Sequence, residues 1–573
     1  MTSTKNTILA DLMAGFTTGI ISVPQGMAFA VIANVPVQHG LYAMIVPTIV
    51  AALIRSSPFL ITGATNTSAL VIGALVAAPT AISRNFDPVA VMLLITLLMG
   101  VMQVLAGALR LGGIGKYVSR AVLLGFTFGA GLLIITGQLK NVLGLPPPRS
   151  PSPLLLDEVS HLIRGCGETQ PRAIAIALIA LAIVALCARI SKLIPGAFLA
   201  IAATGVLVHA LSWDIDTLGA VPRSLPTPTL PPLNNYGLVT DLLGPSLAVA
   251  ILGMVEAISI GKALSAKARI KFHPNQELVA KGAGNIAGAF FGCMPTSASW
   301  TRSVINLQMG AKTRWVGVIA GLTVLLFVLA LAPLAHFIPK AALGAIVIWI
   351  AFHMFDLSSV RHVLNWSRRD GAVMLITFGA ILVLEIQYAI YLGVIASLLL
   401  LIHSSAHLHM IELAQGAHNQ FRELEFDAQT GRSPLVLLQL EGDLFFGVAE
   451  ELEEKLEAIA KNGAKIIVIR MKRTHELDAT TMETLTAFAL AYRQRGGRLI
   501  FCGLKPEMMA RIRGSELEAA VSTDNLFPSE ATNFGSVTRA VDAAKRELRS
   551  QGLSEPFLRQ AADDQAEAVT YSI

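Results

Sequence analysis

The first part of the chain consists of long apolar stretches that are separated by short polar segments. Leu12 to Ile54 contains no Asp, Glu, Lys or Arg, and the polar segment 35–40 divides it into two predicted spans, since a helix needs about 20 apolar residues to cross a bilayer. Twelve further spans are predicted at 64–80, 88–109, 119–139, 173–190, 195–212, 243–263, 277–292, 300–310, 315–335, 341–355, 371–386 and 388–403. Residues 1–410 are therefore predicted to form an all-α membrane domain of fourteen transmembrane segments.

After residue 410 the pattern changes to short apolar runs that alternate with amphipathic segments. The runs at 435–440, 464–471 and 499–502 predict strands. Residues 450–461 and 481–495 predict amphipathic helices between them. The pattern predicts a small soluble α/β domain over 420–550, and the polar composition of 551–573 predicts a disordered tail.

Composition and charge support this division. Hydrophobic residues make up 54% of the chain, charged residues make up 14%, and the mean hydropathy is +0.62, whereas soluble proteins carry about 25% charged residues. Residues 1–402 hold 25 Lys+Arg and 13 Asp+Glu, while residues 403–573 hold 19 and 25. The basic residues of the first part lie in short loops, so their charge predicts no nucleic-acid partner. In those loops 16 Lys and Arg lie on the side of the C-terminal domain and seven on the other side, which predicts cytoplasmic N- and C-termini.

A faint internal duplication relates the two halves of the membrane domain. Asp11-Leu12 has a counterpart in Asp241-Leu242, and with nearly the same shift the polar run 62–68 falls on 293–299. Seven spans per copy is an odd number, so the second copy must be inverted in the membrane. Inverted repeats with interrupted spans at matching positions are typical of secondary transporters that bind their substrate near the membrane midplane.

Two polar segments lie directly before short apolar helices. Thr65, Asn66, Thr67 and Ser68 precede one helix, and 295–303, which includes Thr301 and Arg302, precedes the other. Helix N-termini carry unpaired N–H groups and partial positive charge, so two of them aimed at one point would bind an anion without a metal. The alternative is that these hydroxyls only cap helices or cross-link packed spans.

Glu256 is the only acidic residue of its predicted span. An isolated carboxylate in a membrane usually faces a cavity, a partner or a proton path, and Arg302 is its natural partner or the counter-charge of a substrate. A purely structural Glu–Arg bridge is the alternative. Gln25 and Phe29 lie one helical turn apart and present an amide and an aromatic ring to such a site, although an aromatic residue at that spacing also suits plain packing.

Several signatures are absent from the sequence. It contains no GxxxxGK[ST] segment and no HExxH, GxSxG or CxxC pattern. ATP-driven transport, catalysis at these sites and a metal centre are therefore not predicted, and no cofactor is expected apart from co-transported H⁺ or Na⁺.

Two segments of the membrane domain resemble the signatures of one family. Pro24–Ala30 with Gly40–Tyr42 is similar to the first signature of the sulfate permease (SulP) family, whose animal relatives include prestin and pendrin. Pro274–Leu278 with Gly284–Ile286 is similar to the second, and Ser299–Ser303 resembles the anion-site segment of the family. The C-terminal domain resembles a STAS domain (sulfate transporter and anti-sigma-factor antagonist).

The resemblance implies a 7+7 inverted repeat with core and gate domains that works as a homodimer by an elevator motion. It implies an anion site between the third and tenth spans that is lined by Gln25, Phe29, Thr65, Asn66, Thr67, Thr301 and Arg302. It places Glu256 at the carboxylate that bacterial relatives use for H⁺ or Na⁺ coupling. The expected function is secondary active transport of sulfate or a similar small oxyanion across a bacterial inner membrane, not catalysis.

The sequence departs from the family pattern at three places. Gly63-Ala64 stands where Gly-Pro is common, and the bulky Trp300 lies in the anion-site segment. Both departures are expected to change the shape of the pocket, so bicarbonate and dicarboxylates stay open as substrates. An anion channel, or an anion sensor that signals through the STAS domain, is the other class left open. In that domain, Asp478–Thr481 stands where relatives carry Asp-Ser-Ser-Gly, which makes Thr480 a candidate phosphorylation site and leaves open a cytoplasmic partner.

Overall fold

The computed structural model describes residues 4–77, 86–116, 119–146, 155–191, 194–219, 226–331, 336–405, 407–415, 421–427, 432–530, 534–553, 556–559 and 570–571. The chain forms two compact units, Met1–Leu398 and Leu399–Ile573. The first unit is helical apart from two strands of three residues. Its elements are α1 (Thr4–Ile32), α2 (Val37–Ala43), α3 (Val46–Ile54), β1 (Thr62–Ala64), α4 (Asn66–Ala77), α5 (Pro88–Ala108), α6 (Arg120–Leu143), α7 (Leu155–Gly165), α8 (Pro171–Ile190), α9 (Gly196–Ala210), α10 (Tyr236–Ala268), α11 (Pro274–Ala289), β2 (Thr296–Ala298), α12 (Trp300–Gln308), α13 (Trp315–Leu331), α14 (Lys340–Phe352), α15 (Leu357–Trp366), α16 (Arg368–Val383) and α17 (Ile386–Ser405), which continues into the second unit.

Each predicted span falls on one or two of these helices. In the described ranges, seven helical segments are long and apolar enough to cross a membrane, and four shorter apolar helices accompany them. The other three predicted spans lie on α11, α12 and α16, which carry more polar residues. Sequence analysis did not predict α7 and α15, because amphipathic helices of 11 and 10 residues are too short to stand out by hydropathy.

The helix contacts of the first unit repeat after seven spans. α1 packs on α13 as α10 packs on α5, and α3 packs on α13 as α11 packs on α5. In the same way, α6 packs on α16 as α14 packs on α8. The α3–α11, α6–α14 and antiparallel β1–β2 contacts each join two equivalent elements, one from each repeat. This confirms the inverted 7+7 repeat. The alignment of the two halves that the sequence predicted differs by three residues from the structural one. α4 begins at Asn66 and α12 at Trp300, so Arg302 corresponds to Ser68.

α1 and α13 are in close contact. A Cβ atom at Gly19 would lie 2.5 Å from the Cβ of Thr323, so a larger residue would force the helices apart. Nearer the N-terminus of α1, Asp11 accepts hydrogen bonds from the backbone N–H groups of Lys312 (2.7 Å) and Thr313 (3.2 Å), just before α13. A carboxylate stabilises the unpaired N–H groups of a helix start, and α1 thereby fixes the beginning of α13.

The second unit is an α/β domain. Its sheet has the strand order β8-β7-β6-β5-β3-β4-β9, with β5 to β8 parallel and β3, β4 and β9 antiparallel. Alternate residues of β5 pack into two separate apolar clusters: Leu438 lies in one cluster and Leu437 lies in the other. Both faces of the sheet are therefore covered. Its elements are β3 (His409–Gln415), β4 (Phe421–Glu425), β5 (Leu435–Leu444), α18 (Phe446–Lys461), β6 (Ile466–Leu477), α19 (Ala479–Gln494), β7 (Arg498–Leu504), α20 (Pro506–Ile512), α21 (Glu516–Val521), β8 (Leu526–Pro528), α22 (Gly535–Ser550) and β9 (Thr570–Tyr571).

The five elements predicted here, β5, α18, β6, α19 and β7, are confirmed, but the sheet extends beyond 420–550 in both directions. β3 lies before residue 420 and pairs with β5 and β4. In the segment expected to be a disordered tail, Phe557 and Leu558 are buried, and the Phe557 carbonyl accepts a hydrogen bond from the N–H of Leu435 (3.1 Å). Arg559 forms ion pairs with Glu412 and Asp427, so residues 556–559 are part of the domain. Residues 560–569 and 572–573 of that segment lie outside the described residues.

Candidate functional site

A short antiparallel strand pair lies at the centre of the candidate site. Gly63 of β1 faces Ser297 of β2, and each strand leads almost directly into a helix, α4 after β1 and α12 after β2. Because the strands run in opposite directions, the two helix N-termini approach from opposite ends of the pair. The two strand ends that lead into these helices, Ala64 and Ala298, are offset by about 7 Å along the pair, at 3.4 Å per residue. The fold thus brings two N-termini, with their unpaired N–H groups, to one place.

Arg302 lies in the first turn of α12 and is completely buried (0% exposed). Its Nη1 donates a hydrogen bond to Oε1 of Gln25 (2.9 Å), and its Nη2 donates to the backbone oxygen of Ala64 (2.9 Å). Within the described ranges, Nε has no hydrogen-bond acceptor and no carboxylate forms an ion pair with the guanidinium. Because its bonded neighbours are neutral, the positive charge of Arg302 is not balanced and is available to an anion.

Glu256 lies on α10 beside the first turn of α4. Its Oε1 accepts a hydrogen bond from Oγ1 of Thr67 (2.6 Å), and the hydroxyl of Ser297 also interacts with the carboxylate, while the buried Oε2 accepts no well-formed hydrogen bond from the residues that the structure describes. The expected ion pair with Arg302 is not formed, because Arg302 is held by Gln25 and the chain of β1 instead. Glu256 thus has neutral hydroxyl partners and no ion pair in the part of the chain that the structure describes.

The other predicted site residues make different contacts. Phe29 is 6% exposed and packs in the apolar core of the first unit. The hydroxyl of Thr65, the residue before α4, lies 3.1 Å from that of Ser68 in the first turn of the helix, as the capping alternative predicts. The side-chain amide of Asn66 contacts the sulfur of Met354, and Thr301 is exposed. The structure therefore brings Gln25 to Arg302 and Thr67 to Glu256, but it directs Asn66 elsewhere and leaves Thr301 at the surface of the unit.

The bulky Trp300 is 53% exposed. It does not fill the space beside Arg302, although its position in the sequence suggested an effect on pocket shape. The difference arises because consecutive helical residues point about 100° apart, so a buried Arg302 places Trp300 on another side of α12.

Sequence analysis missed a buried polar layer behind the strand pair. Asn285 of α11 accepts a hydrogen bond from the N–H of Thr296 (2.9 Å) and donates to Oε1 of Gln103 (2.9 Å). One turn earlier, Nζ of Lys281 donates to Oγ1 of Thr62 (3.0 Å). Asn285 and Lys281 are both completely buried. Their spacing of four residues was a signal available in the sequence, because it places both on one helix face, four residues after another polar position, Glu277.

In the second unit, Thr480 is exposed and is the second residue of α19. Asp478 caps this helix and accepts hydrogen bonds from the N–H groups of Thr481 (2.8 Å) and Phe446 (2.7 Å). Partial burial opposes ionisation of Asp478, but these hydrogen bonds outweigh it and hold the pKa of this carboxyl below its usual value. A phosphate on Thr480 would lie at a helix N-terminus, where negative charge is favoured.

The sequence matches two families of known proteins. The sulfate permease family matches residues 8–377, and the STAS domain matches residues 426–533. One relative is a Mycobacterium tuberculosis protein named "Probable sulfate transporter Rv1739c", which is 29% identical over 531 residues; the match covers 90% of this chain and 93% of the relative.

Two solved structures are similar in fold. The murine Slc26a9 anion transporter in its inward-facing state has a TM-score of 0.82 at 21% identity, and the match covers 95% of this chain and 92% of that one. The transmembrane domain of the cyanobacterial bicarbonate transporter BicA has a TM-score of 0.60 at 23% identity, covering 68% of this chain and 97% of that one. At these identities the similarity concerns the fold alone.

Proposed function

The chain belongs to the sulfate permease family, and from that premise we propose that it carries sulfate or a similar small oxyanion by secondary active transport. It is a multi-pass membrane protein and an anion transporter, not an enzyme. The observation that carries the proposal is Arg302, a buried arginine at a helix N-terminus whose hydrogen-bonded neighbours are neutral. A buried charge without a counter-ion is costly, so the site is stabilised when an anion enters it.

The chemistry of the site suits an oxyanion. Arg302 supplies a planar set of N–H donors that matches the oxygens of a tetrahedral or planar anion. The N-termini of α4 and α12 add unpaired N–H groups and partial positive charge, and Gln25 fixes the orientation of the guanidinium. These donors are fixed in place before the anion arrives, so binding needs little rearrangement.

We assign cation coupling to Glu256. Its hydrogen bond with Thr67 connects α10 to α4, which contributes one of the two helix N-termini. A proton or Na⁺ held by Glu256 would offset part of the negative charge that the anion brings into the membrane. In this proposal the helices around β1 and β2 form the moving core, the helices around α6 and α14 form the gate, and two chains make a dimer in a bacterial inner membrane with both termini cytoplasmic.

Uptake by purified protein in liposomes tests the proposal. Radiolabelled sulfate uptake should saturate, should depend on an imposed H⁺ or Na⁺ gradient, and should be lost in Arg302→Ala, while a folded dimer persists in detergent. Preference for bicarbonate or a dicarboxylate in a substrate panel would move the assignment to that anion. Large voltage-dependent currents would identify a channel, and anion binding without flux would identify a sensor. Normal sulfate affinity in Arg302→Ala would remove Arg302 from the site.

The variant Glu256→Gln tests coupling separately. Gln resembles the protonated carboxyl, so this variant should bind sulfate and exchange it across the membrane but should lose uptake driven by a pH gradient. A raised Na⁺ requirement with unchanged pH dependence would assign Glu256 to Na⁺. Uptake that still follows a pH gradient at the wild-type rate would refute proton transfer by Glu256.

A further inference from the structure

Lys281 is a completely buried lysine directly behind the strand pair of the site. It is 0% exposed, and its Nζ donates a hydrogen bond to the hydroxyl of Thr62, the first residue of β1. In the part of the chain that the structure describes, no carboxylate lies within ion-pairing distance of this ammonium group. Lysines are rarely buried without a partner, because desolvation of the charge is unfavourable. The position therefore requires a compensating interaction.

β1 connects Lys281 to the guanidinium of Arg302. The ammonium group holds Thr62 at the start of this strand, and Arg302 holds the carbonyl oxygen of Ala64 at its end. Gly63 between them lies against the guanidinium, since a Cβ atom there would be 2.9 Å from Nη2. The two cations thus flank one strand of three residues, and Lys281 interacts electrostatically with both Arg302 and Glu256.

Two carboxylates, Glu277 and Glu256, interact with Lys281, and neither forms an ion pair with it among the residues that the structure describes. Glu277 lies one turn earlier on α11 and interacts with Lys281 over a longer distance, but it also interacts with Arg55. Arg55 is buried and donates its hydrogen bonds to backbone oxygens of Pro58 and Arg314. Glu277 is therefore shared between two cations.

We infer that Lys281 is a second positive charge of the anion site, one layer behind Arg302, and that it makes the site prefer a doubly charged tetrahedral oxyanion over a singly charged one of the same shape. The inference rests on the proposed function and specifies its substrate class. The physical reason is that the Coulomb energy between two charges is proportional to their product, and burial limits screening by salt. Lys281 therefore stabilises a bound dianion by twice as much as a bound monoanion.

Sulfate and perchlorate provide a direct test, because both are tetrahedral XO₄ anions and differ in charge. In equilibrium binding with the full-length protein in detergent, wild type should bind sulfate at least tenfold more tightly than perchlorate. Lys281→Met removes the charge and keeps the length of the side chain. If it weakens sulfate binding tenfold, it should weaken perchlorate binding only about threefold, as proportionality to charge requires.

Three variants separate charge from structure. Lys281→Arg keeps the charge and Thr62→Val removes only the hydrogen bond, so both should keep the wild-type ratio of the two dissociation constants. Lys281→Gln keeps a hydrogen-bond donor without the charge and should match Lys281→Met. Equal weakening of both anions in the neutral variants, or no weakening, would overturn the inference.

The outcomes also distinguish this inference from the proposed function. If wild type binds neither anion and takes up no labelled substrate, the proposed function itself fails. If wild type transports sulfate but the neutral variants keep its selectivity, only the role of Lys281 fails. If neither neutral variant folds, as judged by thermal unfolding, the test is the preference of the wild-type protein for sulfate over perchlorate. Perchlorate binding as tight as sulfate binding would then refute the inference.

Discussion

At the scale of single residues, Gly63 sets the space available to Arg302. A Cβ atom at this position would lie 2.7 Å from Sδ of Met44 as well as 2.9 Å from Nη2 of Arg302. Both neighbours are buried, so neither can move away without disturbing the core. The absence of a side chain at position 63 thus lets the guanidinium reach the backbone of β1.

We therefore predict that Gly63→Ala displaces the guanidinium. Sulfate affinity should fall about tenfold, or ~1.4 kcal/mol, and the free energy of unfolding should fall by about 1–3 kcal/mol. Binding titration and thermal unfolding in detergent measure the two effects. Gly137→Ala is the matched control, because Gly137 lies on α6 with nothing within 4 Å of the added Cβ atom, and its affinity should not change. Unchanged affinity in Gly63→Ala would mean that binding does not depend on where Arg302 sits.

The sequence identified several residues of the candidate site but not their partners. Gln25, Glu256 and Arg302 stand out because polar side chains are rare in apolar spans. Their pairing depends on the rotation of each helix, which packing over the whole bundle decides. For this reason Glu256 contacts Thr67 rather than Arg302, and no local pattern could have shown it.

At the scale of secondary-structure elements, hydropathy was sufficient to locate the fourteen spans, and local chemistry accounts for several helix starts. Asp87 caps α5, Ser119 caps α6 and Asn235 caps α10, each by accepting a backbone N–H. The strands β1 and β2 were not predicted, since three residues carry too little alternation to indicate a strand. β3 was missed because its sequence, HMIELAQ, lacks the alternation of apolar and polar residues that indicates a strand.

The cap of α19 gives a prediction that depends on pH. The folded pKa of Asp478 lies below its ordinary value of 3.8, so its stabilising effect is present above about pH 4 and is lost as the pH falls through the folded pKa. Asp478→Ala should lower the free energy of unfolding at pH 7 by about 0.5–2 kcal/mol. The difference from wild type should shrink below about pH 4.

Denaturant unfolding of residues 407–573 at several pH values measures this effect. Asp478→Asn serves as the control, since Asn also caps helices well but has no carboxyl to titrate. An Asp478→Ala difference that stays constant down to pH 3 would show that the carboxylate is not the source of the stabilisation.

At the scale of the whole molecule, the limits of the C-terminal domain follow from its sheet. A fragment of residues 420–550 lacks β3, which lies between β5 and β4, and it also lacks the buried Phe557. Its strand β5 would expose an unpaired edge, and exposed edges promote aggregation. Residues 407–573 should therefore give a soluble, cooperatively unfolding domain, whereas 420–550 should aggregate or unfold at a lower temperature.

Soluble yield and thermal unfolding followed by circular dichroism compare the two fragments. A third fragment, 407–550, keeps β3 and lacks the tail, so it separates the two contributions. Equal stability of 420–550 and 407–573 would show that β3 and Phe557 are dispensable. The sequence could not have set these limits, because the pairing of β3 with β5 is a long-range contact.

The hydrogen bonds between α1 and later parts of the chain also determine when α1 can complete its contacts during synthesis. Asp11 contacts Thr313, 302 residues later, and Gln25 contacts Arg302, 277 residues later. At about 5–20 residues per second, the ribosome needs roughly 15–60 s to synthesise the partners of the first helix. During that interval α1 lacks the contacts that Asp11 and Gly19 make with α13 and the residues just before it. A chain interrupted before Arg302 lacks the residue to which we assign anion binding, so on our proposal the site is completed only when the second repeat docks against the first.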